Sequence, residues 1–235
     1  MTPEPNYRVV GMGTERTLDR APGASALDIA GKVPPSARGR RTRASLIKAA
    51  REVFERDGFT DSRIVDITTL ANNSVGTFYT YFEDKEEILK VVLAEALDEV
   101  LERALWAKDA RAADKPLVAL SAALHSFLEH YRDHVNLMLL IEQAAGIDPD
   151  FRADKRRRER ELVRANAEIV RTWRDRGLAE FDMDPARATS ALSGMMNRVA
   201  YNSFVFDEAD SLDDLVDFTV QVWVNALGLR ESGDE

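Results

Sequence analysis

From Thr42 to Gly228, one pattern dominates the sequence: apolar residues recur every three or four positions. This is the spacing of one face of an α-helix, and no pair of segments alternates polar and apolar residues as paired strands would. Cap residues, glycine and proline stand between the periodic segments, where helices begin and end. The chain is therefore predicted to be all-α, with helices at about 42–57, 64–71, 75–82, 85–106, 116–132, 134–145, 149–176, 184–206 and 211–228.

Composition narrows the classes of function. The chain has 235 residues, of which 45% are hydrophobic, so it can bury a sizeable core. It has no cysteine, which excludes disulfides, thiolate metal sites and a cysteine nucleophile. No apolar run is long enough to span a bilayer, and the N-terminal arginines lack the apolar segment of a secretory signal. We therefore expect a soluble cytoplasmic protein.

Charge is unevenly distributed along the chain. The net charge is −9, but residues 36–90 hold ten Lys and Arg against nine Asp and Glu, a local charge of +1. The basic cluster of this region comprises Arg38, Arg40, Arg41 and Arg43. Such a cluster is either a solvated start to a helix or a set of phosphate contacts, and taken alone it favours neither.

The second and third predicted helices are short and closely spaced, and they follow a longer helix. This is the arrangement of a helix-turn-helix unit, in which the second short helix lies in the DNA major groove. Asn72 tolerates the left-handed backbone of a tight turn, and Ser74 can cap the reading helix. Phe78 and Phe82, four apart, can anchor that helix to a core. The hydroxyl side chains predicted for the opposite face, where they could bond phosphate, are Thr77, Tyr79, Thr80 and Tyr81.

The stretch GFTDSRIVDITTLANNSVGTFYTYFEDKEEIL, residues 58–89, resembles the N-terminal signature of the TetR family of transcriptional regulators. The resemblance is clear over roughly residues 42–90 and strongest over residues 75–82. It implies an all-α fold, with an N-terminal three-helix helix-turn-helix DNA-binding domain and a C-terminal helical domain for ligand binding and dimerisation. Three positions depart from the family pattern, which usually has alanine, glycine and an apolar residue where Thr68, Asn72 and Asn73 stand.

The resemblance also implies roles for single residues. Arg63, Tyr79 and Lys85 match positions where the family contacts phosphate, and Tyr81 lies at another DNA-facing position. Together with the residues at the start of the reading helix and with the basic cluster, the predicted DNA-binding set is Arg43, Arg63, Asn73, Ser74, Val75, Thr77, Tyr79, Thr80, Tyr81 and Lys85.

The second half of the chain could form a ligand pocket, which needs an apolar cavity with a few polar anchors. The predicted ligand-binding residues are Phe127, Tyr131, Met138, Ile141, Glu142, Asn166, Trp173, Met195 and Asn197. For each residue alone, plain core packing is the alternative.

The basic run at residues 155–160 could bind an anionic ligand group, but an exposed helix face paired with Glu159 and Glu161 is favoured. His130 and His134 suit neighbouring metal ligands, but a helix break is expected between them and no third ligand is evident, so no metal or cofactor is predicted.

The last two predicted helices carry wide apolar stripes, whose alternative is intrachain core. The resemblance implies that they form a four-helix bundle across the two-fold axis of a homodimer. The predicted domains are a disordered N-terminal arm (1–37), the DNA-binding domain (38–90), the ligand-binding and dimerisation domain (91–230) and a tail (231–235).

These features predict a ligand-responsive transcriptional regulator. The default form is a repressor that binds a palindromic operator in double-stranded DNA and is released by a hydrophobic small molecule. One alternative is a helical interaction module that does not bind DNA. A weaker alternative is an enzyme on a helical scaffold, against which stand the lack of a phosphate loop, a nucleophile elbow or a strong metal motif.

Overall fold

The computed structural model describes residues 34–105, 115–206 and 211–230. Within these ranges it has no strand and the following helices: α1 (Ala37–Asp61), α2 (Ile64–Leu70), α3 (Val75–Tyr81), α4 (Lys85–Ala104), α5 (Pro116–Asp133), α6 (Val135–Ile147), α7 (Pro149–Asp175), α8 (Pro185–Val205) and α9 (Leu212–Leu227). Each helix falls on a predicted segment, and the all-α prediction is confirmed. Residues 1–33 of the predicted arm and the predicted tail at 231–235 lie outside the described residues.

Side-chain caps explain where the helices begin. At the start of α4, Asp84 accepts a hydrogen bond of 2.8 Å from the N–H of Glu87. At α9, Ser211 and Asp214 form a reciprocal capping box. A proline occupies the first turn of α5, α7 and α8, where its missing N–H costs no helical hydrogen bond. The local sequence therefore specifies the helix starts directly.

The start of α1 corrects the prediction. The helix begins at Ala37 rather than at Thr42, because Ser36 Oγ accepts a hydrogen bond of 3.0 Å from the N–H of Gly39 and caps it. Ser36 and Ala37 therefore belong to the helical body and not to the disordered arm predicted for residues 1–37.

The end of α1 is irregular. Gly58 has φ 70° and interrupts the helix where a stop was predicted, yet helical turns resume as far as Asp61. The Ser62 hydroxyl then donates to the carbonyl of Phe59 at 2.8 Å. This end of α1 turns its carbonyl groups toward the start of α4.

Helix α4 joins the two predicted domains. The predicted boundary between residues 90 and 91 lies within this continuous helix of 20 residues. Along its length it packs against α1, α5, α6 and α7. We refer to α1–α3 and the first turn of α4 as the head, and to α5–α9 with the rest of α4 as the C-terminal body. Their buried apolar residues form a single core that runs from Leu46 to Leu229.

Within the described residues, no helix combines the length and apolar character needed to span a membrane.

Candidate nucleic-acid interface and helical cavity

The turn between α2 and α3 has the geometry that the sequence predicts. Asn72 has φ 53°, the left-handed conformation expected of it. Its neighbour Asn73 donates from Nδ2 to the carbonyl of Ala71 at 2.7 Å and lies 3.4 Å from Ser45 Oγ of α1. The unusual Asn73 therefore ties the turn to α1. Thr68 is buried, and its hydroxyl donates to the carbonyl of Val65 at 3.1 Å.

Helix α3 is capped at one end and anchored along one face. Ser74 Oγ accepts a hydrogen bond of 3.1 Å from the N–H of Thr77, as predicted. Phe78 and Phe82 are fully buried, with ring centroids 5.6 Å apart. Two aromatic anchors and a cap fix the orientation of this short helix, which makes few hydrogen bonds of its own.

The opposite face of α3 is open to solvent. Tyr79 is 56% exposed and Val75 is 39% exposed, and Thr80 is exposed as well. Tyr81, predicted to face DNA, is half-buried and packs against the core. The exposed face of α3 therefore carries mainly hydroxyl groups, together with the two methyl groups of Val75. Hydroxyl groups can bond phosphate, and both kinds of group can contact base edges.

Two arginines near α3 are held by neighbouring side chains. Arg63 is exposed, and its guanidinium donates two hydrogen bonds of 2.9 Å to Asp66. These hydrogen bonds raise the pKa of Arg63 and lower the pKa of Asp66. Arg43 is half-buried, with its guanidinium carbon 5.3 Å from the ring centroid of Phe82. A phosphate contact by Arg63 would have to compete with Asp66.

Lys85 has an intramolecular role that the sequence does not reveal. Its Nζ donates to the carbonyls of Phe59 and Ser62 at 2.6 and 2.7 Å. The same atom lies 4.3 Å from the ring centroid of Phe59, and burial lowers the pKa of Lys85. Lys85 thus ties the end of α1 to the start of α4, and its contact with phosphate stays a prediction.

The C-terminal body contains a cavity of about 240 Å³ between α4, α5, α6, α7 and α8, which we name the helical cavity. Its apolar lining includes residues of α4 that sequence reasoning missed, because they read as plain core: Leu97, Val100, Leu101 and Ala104. Six of the predicted ligand-binding residues line it: Phe127, Tyr131, Met138, Ile141, Glu142 and Asn197. The cavity meets solvent near Glu142 and Asn197, which are exposed.

Three predicted ligand-binding residues do not line the helical cavity. Trp173 is fully buried in the core, and Met195 is half-buried and packs against that core. Asn166 is also buried and donates from Nδ2 to the carbonyl of Ala104 at 3.0 Å, at the end of α4. Met196 lines the cavity in place of its neighbour, since adjacent residues of a helix point in directions about 100° apart.

The polar side of the helical cavity is a charged group of three residues. Lys155 Nζ lies 2.5 Å from Glu159 Oε1 and 3.2 Å from Glu142 Oε1. Burial alone would lower the pKa of Lys155, but its hydrogen bonds and attraction to the two carboxylates raise that pKa overall. Only 14% of the Lys155 side chain is exposed, against 52% for Glu142.

The basic run of α7 is less exposed than predicted. The pairs of Lys155 with Glu159 and of Arg157 with Glu161 are present. Lys155 and Arg158, however, are mostly buried, because they face inward toward α6 and α4. Arg158 pairs with Asp98 of α4 and with Asp154. The prediction of a wholly exposed face was wrong for these two residues.

A polar junction links the head to the C-terminal body. In α1, Glu55 Oε1 lies 2.7 Å from His134 Nδ1, and the carbonyl of Glu55 accepts 2.7 Å from Asn136 Nδ2 of α6. Arg51 of α1 donates to Glu99 of α4 at 2.6 Å. We name these five residues the α1 junction. Sequence reasoning missed it, because its members are far apart in the chain.

His130 lies beside this junction. It is 8% exposed, its ring centroid is 4.5 Å from that of His134, and its Nε2 has no hydrogen-bond partner among the described residues. Burial, followed by repulsion from His134, lowers the pKa of His130. Within the described residues, no three His, Asp or Glu side chains are placed to hold a metal ion.

Comparison with known families gives two matches along the chain. Residues 46–92 match the model of the bacterial regulatory proteins of the tetR family. Residues 120–228 match the model of the C-terminal domain of the transcriptional regulator EthR. The first match covers most of the head and the early part of α4, and the second covers most of the C-terminal body.

Individual relatives agree with these matches. The chain is 29% identical over 135 residues to the HTH-type transcriptional regulator TcmR of Streptomyces glaucescens, covering 53% of this chain and 58% of that protein. It is 45% identical over 53 residues to the HTH-type transcriptional repressor NicS of Pseudomonas putida, covering 23% of this chain and 25% of that protein. The alignments thus span less than two thirds of either relative.

Solved structures share the fold. A TetR-family transcriptional regulator from Mesorhizobium loti superposes with a TM-score of 0.64 at 21% sequence identity, over 81% of this chain and 98% of that chain. This likeness concerns the arrangement of the helices, in the head and in the C-terminal body alike.

Proposed function

The chain belongs to the TetR family of bacterial regulatory proteins, and we propose that it is a ligand-responsive transcriptional repressor. The observation that carries the proposal is the construction of α3. A cap and two buried phenylalanines hold this helix rigidly, with its hydroxyl-bearing face turned to solvent. A helix presented in this way fits the major groove, which is roughly 12 Å wide.

Basic residues lie on the same part of the chain as α3. Arg38, Arg40 and Arg41, in the first turns of α1, are exposed and can approach the DNA backbone. Phosphate contacts of this kind set affinity and register, while contacts from α3 to base edges set sequence preference. The overall charge of −9 does not oppose this, because the acidic excess lies outside residues 36–90.

We propose that the active species is a homodimer formed through α8 and α9. Phe206, at the end of α8, is 49% exposed, and Phe218 of α9 is 57% exposed. Large apolar side chains at this exposure are suited to burial against a second copy across a two-fold axis. Two heads in such a dimer would read the two halves of a palindromic operator, about 34–36 Å apart.

The helical cavity is the proposed effector site. A ligand there would touch α4 and α6, both of which contact α1 through the α1 junction. An effector that binds better when these helices are displaced shifts the molecule toward a state in which the heads no longer match the operator. Repression with release by ligand is the response that we propose for this coupling.

The test of DNA binding uses the purified protein and a labelled fragment of its own upstream region, with an unrelated fragment as competitor. We expect selective binding that weakens by orders of magnitude between about 50 and 200 mM salt. Tyr79→Phe should weaken it by about 1–3 kcal/mol over two heads, through loss of a hydroxyl contact in each.

The control is Thr172→Val, which removes a hydroxyl from α7, outside the head and the proposed dimer interface, and should leave binding unchanged. If neither this fragment nor any fragment from a genome-wide selection is bound selectively, the chain is a helical interaction module and the proposal is wrong.

A further inference from the structure

The ionisable side chains of the helical cavity carry an excess of negative charge. Those lining it that are charged at neutral pH are Glu142, Lys155 and Glu159, with a sum of −1. Lys155 is the most buried of the three and contacts both carboxylates. Its positive charge is therefore already offset by two neighbours, and the remaining charge available to a ligand is negative.

Two aromatic rings stand in the same cavity. Phe127 and Tyr131 lie with ring centroids 5.9 Å apart, and Tyr131 is 4% exposed. The Tyr131 hydroxyl makes no hydrogen bond to any residue that the structure describes. Burial, and then the charge of Glu142, raise the pKa of Tyr131, so the hydroxyl keeps its proton. Aromatic faces beside a carboxylate attract organic cations.

The size of the helical cavity limits the ligand. Its volume of about 240 Å³ lies just below the range of roughly 300–1,000 Å³ that is typical of ligand pockets. It equals the liquid volume of roughly eight water molecules. The occupant is therefore compact, with a short apolar body rather than a long chain.

We infer that the helical cavity binds a small organic cation, a compact amine or ammonium compound with an apolar body. Its apolar part would lie against the α4 residues and Met138, and its charged group would face Glu142. The inference rests on the proposed function, because it names the chemical class of the effector of the proposed site.

A carboxylate ligand fits this site less well. It would have to replace Glu142 as a partner of Lys155. Glu142, Lys155, Glu159 and the bound carboxylate would then together carry a charge of −2 in a partly buried site. A neutral ligand would make no use of the carboxylates. The observed charges thus favour a cation over both.

The test compares three ligands with a common phenyl body by isothermal titration of the whole protein: 2-phenylethylamine, 2-phenylethanol and 3-phenylpropionate. We expect the amine to bind about tenfold more tightly than the alcohol, as for one charge-assisted contact. We expect the carboxylate to bind most weakly. Equal affinity for all three, tightest binding of the carboxylate, or no binding of the amine would overturn the inference.

Two variants locate the amine. Glu142→Gln changes an exposed residue and should weaken amine binding about tenfold without changing alcohol binding. Glu168→Gln is the matched control, because it removes the same charge from an exposed position of α7 that does not line the cavity. Tyr131→Phe keeps the aromatic ring but removes the hydroxyl. It should weaken the binding of the amine and the binding of the alcohol by the same factor. An amine affinity that Glu142→Gln leaves unchanged would contradict the inference.

Selective binding of the upstream DNA fragment is measured on the same protein sample. DNA binding without any preference for the amine would refute the ligand class and leave the regulator intact. Absence of selective DNA binding would refute the proposed function, whatever the three ligands do.

Discussion

At the scale of single residues, one partly buried cation ties two helices of the head together. Lys85 donates to two carbonyls at the end of α1 and lies over the Phe59 ring. These contacts explain a lysine here without reference to DNA, since they satisfy carbonyl groups that a helix end leaves unpaired. A loss of DNA binding in a Lys85 variant therefore needs a stability measurement beside it.

We predict that Lys85→Ala lowers the free energy of unfolding by about 1–2 kcal/mol, through loss of the two hydrogen bonds and the ring contact. Urea unfolding followed by circular dichroism measures this. Lys48→Ala, at an exposed position of α1, is the control and should change stability little. Unchanged stability with weakened DNA binding would instead assign Lys85 to phosphate.

His130 makes stability depend on pH. Its pKa in the folded chain lies below the ordinary value of 6.5, because burial disfavours the charged imidazolium. The unfolded chain therefore binds the proton more readily, so stability is lost as the pH falls below about 6.5. The surrounding charged groups are His134, Arg103 and Arg51, which lower the pKa further, and Glu99, which raises it.

We predict that the wild-type protein loses more stability than His130→Gln when the pH is lowered from about 7.5 to about 5.5. Thermal melting at both pH values gives the loss of stability for the wild type and for His130→Gln. Subtracting one loss from the other removes the contribution of the titrating groups that both proteins share. His125→Gln, which changes a side chain 44% exposed on α5, is the control. Equal losses in wild type and His130→Gln would show that His130 does not carry the effect.

At the scale of elements, local chemistry predicts α3 well and the contacts between helices poorly. Ser74, Asn72 and the two phenylalanines act on their own helix or on the adjoining turn, so sequence spacing is sufficient to assign them. The inward turn of Lys155 depends on where α6 lies beside α7, which no local pattern encodes. The α1 junction is hidden for the same reason, because it joins α1 to residues some 80 positions later.

We predict that Glu55→Gln weakens communication between the helical cavity and the head. The variant removes the carboxylate that contacts His134 and Arg51, and it changes no residue of α3. The coupling between 2-phenylethylamine and DNA should fall by about 0.5–2 kcal/mol. DNA titrations with and without saturating amine measure it, with Glu129→Gln of α5 as a control. Full release of DNA by the amine in Glu55→Gln would exclude this route.

At the scale of the whole molecule, the helical cavity shows how far sequence reasoning extends. Six of the residues predicted to bind ligand line this cavity. They were identified because a ligand pocket is usually lined by apolar residues of central helices with a few polar residues among them. Trp173 meets the same criterion but fills the core. The distinction requires the relative placement of five helices, and small shifts in that placement open or close a space of this size.

The proposed dimer gives a prediction at this scale. Phe218→Glu should shift the protein to monomer and raise the dimer dissociation constant by roughly 30-fold or more, because it would bury a charge at the interface. Light scattering over a concentration series reports the mass. Val118→Glu, at an apolar position of α5 that is 59% exposed, is the matched control. A dimer that survives Phe218→Glu and dissociates in Val118→Glu would place the interface elsewhere.

The continuity of α4 has a mechanical consequence. The helix has 20 residues and is therefore about 30 Å long. Lys85 fixes one end to the head, while Leu101 and Ala104 border the helical cavity at the other. If α4 tilts by about 5° as a rigid rod, one of its ends moves by about 2.6 Å relative to the other. Two such displacements in opposite directions would exceed the rise of one base pair, about 3.4 Å, so a small angular change in α4 would put the two heads out of step with the DNA.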